Sequence, residues 1–338
     1  MRLSTIHLLA HNKAISLYTD PSPHVKAVID AAKSRGLVAA GYFERLAGYF
    51  GTANKEGNFG FGRYTDASLS ATVRNSAGTS SGWASQPAVK IGDISGEWVG
   101  LTAAEKCLKW KEPVKLDPGK YTVVLEPTAV GDLVPLMAFS ASARAAEEGR
   151  SFLSKKGGGT MVGEKMFPEF ITLHSDPFDK RYPALPWGQG GLASGPVTWV
   201  ENGVVKNLFY DRYWAMKSGH APTPSFGNLI LDGGEKSLED LIAGVDRGLL
   251  VTRFWYIRVM NPQTVQLTGL TRDGLFLIEE GKVTKPVVNF RFNESPVRML
   301  QNTVAMGRPV RTKGGESGMV VPPIVVKEFP FTSVSDAV

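Results

Sequence analysis

The sequence predicts an α+β protein of two domains, the second strand-rich, barrel- or sandwich-like, and built around one long helix. Three observations predict it. Period-two alternation marks the chain from Leu249 to Pro296, an Ala-, Leu- and Met-rich helical run spans about Val130 to Glu148, and a charged stretch punctuated by Pro113, Pro118 and Gly119 separates these from a shorter α+β segment. The division implied is 1–115 and 116–338. A chain of 338 residues with 43% hydrophobic and 21% charged residues has enough apolar material for two cores and does not read as disordered.

The first domain opens, in this reading, with a helix from His24 to Arg35, because Val25, Val28, Ile29 and Ala32 recur at helical spacing until Gly36 stops them. Leu37 to Tyr42 and Ser68 to Arg74 read as strands on either side of a turn-rich Gly57 to Gly62. Ser95 to Trp110 is a helix with Val99, Ala103, Cys107 and Trp110 on one stripe. In the second domain, Tyr121 to Leu125 is a strand leading into the long helix. Val197 to Val200 and Val204 to Leu208 flank Asn202-Gly203, a step that accepts positive φ and so marks a hairpin. Ser237 caps a short helix to Ala243, with Asp240 in the capping-box position.

From Val251 to Val259, odd-numbered residues alternate with Thr252, Phe254, Tyr256 and Arg258, the signature of a strand with two unlike faces. Asn261-Pro262 turns the chain; Val265 to Leu270 and Leu275 to Ile278 follow as two further strands around an Arg272-Asp273-Gly274 turn, closed by Glu280-Gly281. The unit reads as an antiparallel meander. Glu294 to Ala305 reads as the last helix.

Net charge is +6 and the isoelectric point 9.2, but Lys and Arg are scattered, which fits a solvated surface better than a nucleic-acid groove. One cysteine excludes an internal disulfide. The first ten residues are too short an apolar stretch for a signal peptide, and no apolar run approaches membrane-spanning length, so a cytoplasmic protein without membrane contact is expected.

The stretch from Gly248 through Asn289-Phe-Arg-Phe-Asn-Glu-Ser-Pro296 resembles the C-terminal domain of the TldD/TldE (PmbA) family of metallopeptidases. The resemblance extends to Leu125-Glu-Pro-Thr-Ala-Val-Gly-Asp132, to Ala146–Phe152 and to Gly157–Lys165, and runs from about Gly36 onward. Family members are usually longer at the N-terminus, so the chain looks as if it starts inside the family's first domain. The family's active member, TldD, carries a His-Glu-x-x-x-His helix and a distant cysteine that hold a catalytic metal. Threading that motif onto the helix after Gly131 places Pro135 and Ser140 at the histidines and Leu136 at the glutamate, while Gly314 stands where the cysteine precedes Gly318-Met-Val-Val-Pro322. The sole cysteine, Cys107, is far upstream. The resemblance therefore implies a TldE/PmbA-like, metal-free and cofactor-free, non-catalytic subunit. Its expected partners are a TldD-like catalytic subunit, in a dimer, and an unfolded or modified peptide held in extended form, for which strand addition is well suited.

Each candidate site residue has a plainer role beside its functional one. Glu147, Glu148 and Arg150, at the end of the long helix, are polar anchors for a peptide or a partner, or simply a helix terminus. Tyr210 and Arg212, with Phe209, Tyr213 and Trp214, line a peptide cleft or belong to core and interface. His7 and His11 have metal-ligand spacing but no third ligand; His174, Asp176 and Asp179 are the candidate set for a self-sufficient metallopeptidase with displaced ligands, or an ordinary Asp-Pro loop. Gly157-Gly158-Gly159 lacks the Lys-Ser/Thr of a phosphate-binding loop and reads as backbone freedom. The remaining alternative is a peptide-binding or assembly module outside any proteolytic context.

Overall fold

A computed structural model describes residues 19–188, 191–224, 226–313 and 318–336. Helix α1 (Ser22–Lys33) precedes an antiparallel sheet of β1 (Val38–Ala53), β2 (Phe59–Arg74) and β3 (Ser81–Ala88), in the order β1-β2-β3, and α2 (Gly96–Lys109) follows. Ser95 caps α2 through its side chain, and Val28, Ala32, Leu69, Val73, Val99, Ala103 and Cys107 share one core. Both strands of the first hairpin are far longer than the alternation signalled. Asn54 explains the tight turn between them, since its side-chain oxygen accepts the N–H groups of Glu56 and Asn58.

The second domain starts with β4 (Gly119–Leu125), α3 (Pro127–Phe139) and α4 (Ala143–Glu147), then β5 (Leu173–Ser175), β6 (Val197–Glu201), β7 (Val204–Val205), α5 (Arg212–Ser218), β8 (Ile230–Leu231) and α6 (Leu238–Ala243). It continues with β9 (Arg247–Asn261), β10 (Gln266–Glu279), β11 (Lys282–Pro286), β12 (Phe290–Glu294), α7 (Pro296–Gln301), β13 (Thr303–Met306), β14 (Val310–Lys313), β15 (Gly318–Val321) and β16 (Ile324–Val334). Strands β10, β12, β16, β4 and β9 pair in that order, and β9 pairs back to β10, so the sheet closes on itself as a barrel. Beside it lies a six-stranded sheet, β14-β15-β8-β5-β6-β7. The predicted α+β, two-domain architecture with a strand-rich second half is what the chain adopts.

Closure removes free edges, and the interior is filled by rings: Phe254 meets Phe292 at 4.5 Å between centroids and Phe329 at 5.5 Å, while Phe290 stacks on Phe331 at 5.0 Å. Helix α3 packs on this core through Val130, Leu133, Val134 and Met137. The Asn202-Gly203 hairpin forms as expected, with φ of 50° and 78°; a Cβ on Gly203 would lie 2.1 Å from the Phe167 carbonyl oxygen. The capping box of α6, with Ser237 and Asp240 exchanging bonds, also forms.

Three local expectations are corrected. The single long helix is two, α3 and α4, because Ala141 and Ala143 bond to the backbone of Phe209, and Ser142 starts a new helix by capping Ala145. Arg272-Asp273-Gly274 is not a turn between strands: β10 runs through it with a register shift against β9, φ of 55° at Asp273 and 140° at Gly274 supplying the bulge. The last helix begins later and ends earlier than its pattern implies. Glu294 closes β12, Ser295 caps α7 at Pro296, and Thr303–Met306 leaves helical form to pair with β16.

Candidate functional site

The helix that threads onto the family's metal motif is α3, and its sequence fixes what that place can do. Pro127 occupies the first turn, where a missing N–H costs nothing, and the Glu126 carboxylate before it takes 2.7 Å from Lys106 of α2 and 3.0 Å from the Thr252 hydroxyl of β9. Pro135 is buried; Ser140 turns its hydroxyl back onto the Leu136 carbonyl at 3.1 Å. A proline ring, an isobutyl group and a bonded hydroxyl are not the donor set a zinc-type centre requires, so these residues do not fit a catalytic metal. Among the described residues no cluster of three or more His, Cys, Asp or Glu side chains has a geometry able to hold a metal. Gly314, the position matched to the cysteine, lies outside the described residues, as do His7 and His11.

What α3 does carry is Asp132, which no sequence signal singled out as a site residue. Its carboxylate accepts the Phe254 N–H at 2.9 Å. Burial pushes its pKa up to about 7, opposed by that N–H and by the nearby Arg253 guanidinium. Arg253 is itself held by the fully buried Asp273 at 2.9 Å from Nε, and lies between two rings, 4.6 Å from Trp83 of β3 and 5.1 Å from Trp255. Arg272 sits 5.0 Å over Trp255 and 3.7 Å from Asp273. Alternation could announce that Arg253 and Trp255 share a face, but not that Trp83, on a strand of the other domain, would complete the stack.

The sequence-predicted residues at the end of the long helix come together in part. Glu147 accepts from the Tyr210 hydroxyl at 2.6 Å and from the Trp214 indole N–H at 2.7 Å, tying α4 to α5. Burial and then the Glu147 bond push the Tyr210 phenol up, so it stays a donor; its ring stacks on His220 at 4.5 Å. Glu148 instead joins Arg144 and Arg150, whose guanidinium bonds, Arg150 first, hold its carboxyl below the usual range. Arg212 opens α5 behind the Asp211 cap. His174 lies 3.7 Å from Asp232, while Asp179 is bonded to Arg181, which lowers its pKa, and Asp176 accepts from the Phe178 N–H. Among the described residues these three form no metal-holding group, although the charge of His174 reaches Asp179. Gly157, Gly158 and Gly159 all have positive φ, as their freedom implied.

A cleft of about 400 Å³ opens between β2 and the Tyr182–Trp187 loop. Trp187 packs over Gly60, where a Cβ would stand 3.3 Å from the ring. Arg311 of β14 crosses to Asp66 of β2 and lies 4.5 Å from the Tyr182 ring, and Lys313 reaches Glu44 of β1.

A two-domain α+β fold with a closed barrel and a buried polar knot beside α3 is the architecture of a metallopeptidase-like family. Residues 118–333 match the PmbA/TldA metallopeptidase C-terminal domain, and the chain belongs to that family. It is 24% identical over 247 residues to a metalloprotease of Methanothermobacter thermautotrophicus, covering 67% of this chain and 52% of that protein; it therefore spans about half the length of that relative. Two solved structures share the fold. A Bacteroides thetaiotaomicron protein described as a candidate modulator of DNA gyrase superposes with a TM-score of 0.81 at 24% identity, covering 97% of this chain and 74% of that one. TldE from Thermococcus kodakarensis gives a TM-score of 0.77 at 21% identity, covering 91% and 72%. No described helix is long and apolar enough to cross a membrane.

Proposed function

We propose that this chain is the TldE/PmbA-like, non-catalytic and metal-free subunit of a TldD/TldE-type metalloprotease, acting on unfolded or modified peptides with a TldD-like catalytic partner in the cytoplasm. The reading is carried by the content of α3: with the family's metal motif threaded onto this helix, Pro135, Leu136 and Ser140 fall where the active member's ligands and glutamate would stand. Supporting it, the helix is packed and bonded as a structural element, with Ser140 spent on the Leu136 carbonyl. We place the boundary between its two domains at 115/116, a division supported by the family match beginning at residue 118. Glu147, Glu148, Arg150, Tyr210 and Arg212 are assigned to contact with peptide or partner, since the bonded junction of α4 and α5 is a rigid polar platform.

Elemental analysis of the purified chain, alone and after co-purification with its metal-bearing sibling, tests the proposal. The expected outcome is no stoichiometric transition metal on the isolated chain, and chelator-sensitive cleavage of an unstructured peptide only when both chains are present. One equivalent of zinc on the isolated chain, or cleavage by it unaided, would sink the reading.

A further inference from the structure

We infer that the cleft between β2 and the Tyr182–Trp187 loop is a binding site for the free C-terminal carboxylate of a peptide whose last side chain is aromatic or large and aliphatic. This rests on the peptide-handling role proposed above and specifies which end of the peptide this chain holds.

Three observations support the assignment. Size comes first: about 400 Å³ is room for one or two residues, not for a folded domain. The lining is the second, because Leu46, Phe50 and Tyr64 of the first sheet face Leu185 and Trp187 across the cleft, giving apolar walls on both sides. Phe50 is 52% exposed and Leu46 47%, surface whose burial by a ligand side chain is favourable. Charge is the third. Two cations, Arg63 and Arg311, line the cleft against one carboxylate, Asp66, leaving one positive charge for a ligand to neutralise. The neighbouring Lys313 and Glu44 pair with each other and cancel.

Arg311 is the more telling of the two cations. Its side chain is 8% exposed, Nη2 goes to Asp66, and Nε and Nη1 are buried with no hydrogen-bond partner among the described residues. A buried guanidinium with two unused donors is costly, and charge-assisted bonds to a second carboxylate would satisfy it. The Tyr182 ring, 4.5 Å from the guanidinium, covers it on one face, while bonds to a carboxylate run in the guanidinium plane. Arg63, exposed at the rim and without an ion-pair partner among the described residues, supplies the first contact for an incoming anion. An α-amino terminus is the wrong ligand here, since it would bring a second positive charge to the one already unbalanced.

Isothermal titration of the full chain with a Gly/Ser hexapeptide ending in Leu-Phe, as the free acid and as the C-terminal amide, tests the assignment. The acid is expected to bind at least about tenfold more tightly than the amide, the value of one charge-assisted contact. Arg63→Gln, a surface change that leaves the Asp66 pair intact, should remove much of that preference while leaving amide binding unchanged. Arg311→Lys, which keeps a cation for Asp66 but loses the planar fork, should do the same. Equal binding of acid and amide, or an acid preference untouched in both variants, overturns the carboxylate site and leaves the subunit reading standing. Selective acid binding by a chain that carries its own zinc and cleaves unaided overturns the subunit reading and leaves the site.

Discussion

The barrel and the three-stranded sheet solve the same problem in opposite ways. In the barrel, β9 pairs back to β10, and Phe254, Phe290, Phe292 and Phe329 lie in the interior with 3% or less of their surface exposed. In the N-terminal sheet, β1 pairs only with β2 among the described residues, and Val38, Tyr42, Leu46, Tyr49 and Phe50 stand exposed along it. Similar residue types thus do different work. Closed pairing turns aromatic residues into core; an open edge leaves them as surface available to a ligand or a partner, and the cleft proposed above lies on that side of the molecule.

The contrast can be broken by mutation, beginning with the largest effect. Phe292→Ala empties a site surrounded by Phe254 and Phe329 and should cost about 4 kcal/mol, read as a lower urea midpoint. If the cost is under a quarter of that, the barrel interior is not close-packed. Arg253→Met strands the fully buried Asp273 carboxylate, of which Oδ1 already has no partner, and should cost about 3 kcal/mol. Adding Asp273→Asn, a residue that tolerates the φ of 55° there, should restore much of the loss, because the uncompensated charge is then gone; a strictly additive double mutant contradicts the pairing.

Asp132 gives a smaller, pH-dependent effect. Its folded pKa of about 7 exceeds the ordinary 3.8, so the folded chain binds the extra proton between those values. The stability it allows is therefore complete below about pH 4 and is lost as pH rises through 7, by about 1–2 kcal/mol once partial exposure is discounted. Asp132→Asn, which keeps an acceptor for the Phe254 N–H, should flatten that slope; an unchanged slope shows the carboxyl to be ionised throughout. Smallest of all, Tyr42→Ser on β1 should shift stability by no more than about 0.5 kcal/mol, because the ring is 66% exposed. A large loss there would mean that the open sheet is covered in solution.

Much of this was legible in the chain. The Val251–Val259 run found β9, although its burial falls in a block, buried from Gly248 to Phe254 and largely exposed beyond, instead of alternating between two faces; the Asn202-Gly203 step found its hairpin, and Ser95 and Ser237 marked the starts of their helices, because each depends on residues a few positions apart. Where local patterns misled, a distant partner intervened. Phe209 interrupts the helix at Ser140–Ser142, and β16 claims Thr303–Met306. Of the candidate site residues, Glu147 and Tyr210 were named for separate reasons and meet at 2.6 Å; Asp132, Trp83 and Arg311 were not named, since none has a local pattern that distinguishes it from ordinary helix, strand and surface.

By itself the sequence determined the family, the two-domain α+β class and the side chains at the motif positions of α3, since motif, composition and short-range periodicity are properties of neighbours along the chain. Only the tertiary structure decided that the sheet closes, that Asp132 is pressed towards neutrality, and that Arg63, Asp66 and Arg311 line one cleft. Closure, desolvation and charge balance are sums over groups brought together from distant segments, and those sums exist only once the chain has folded.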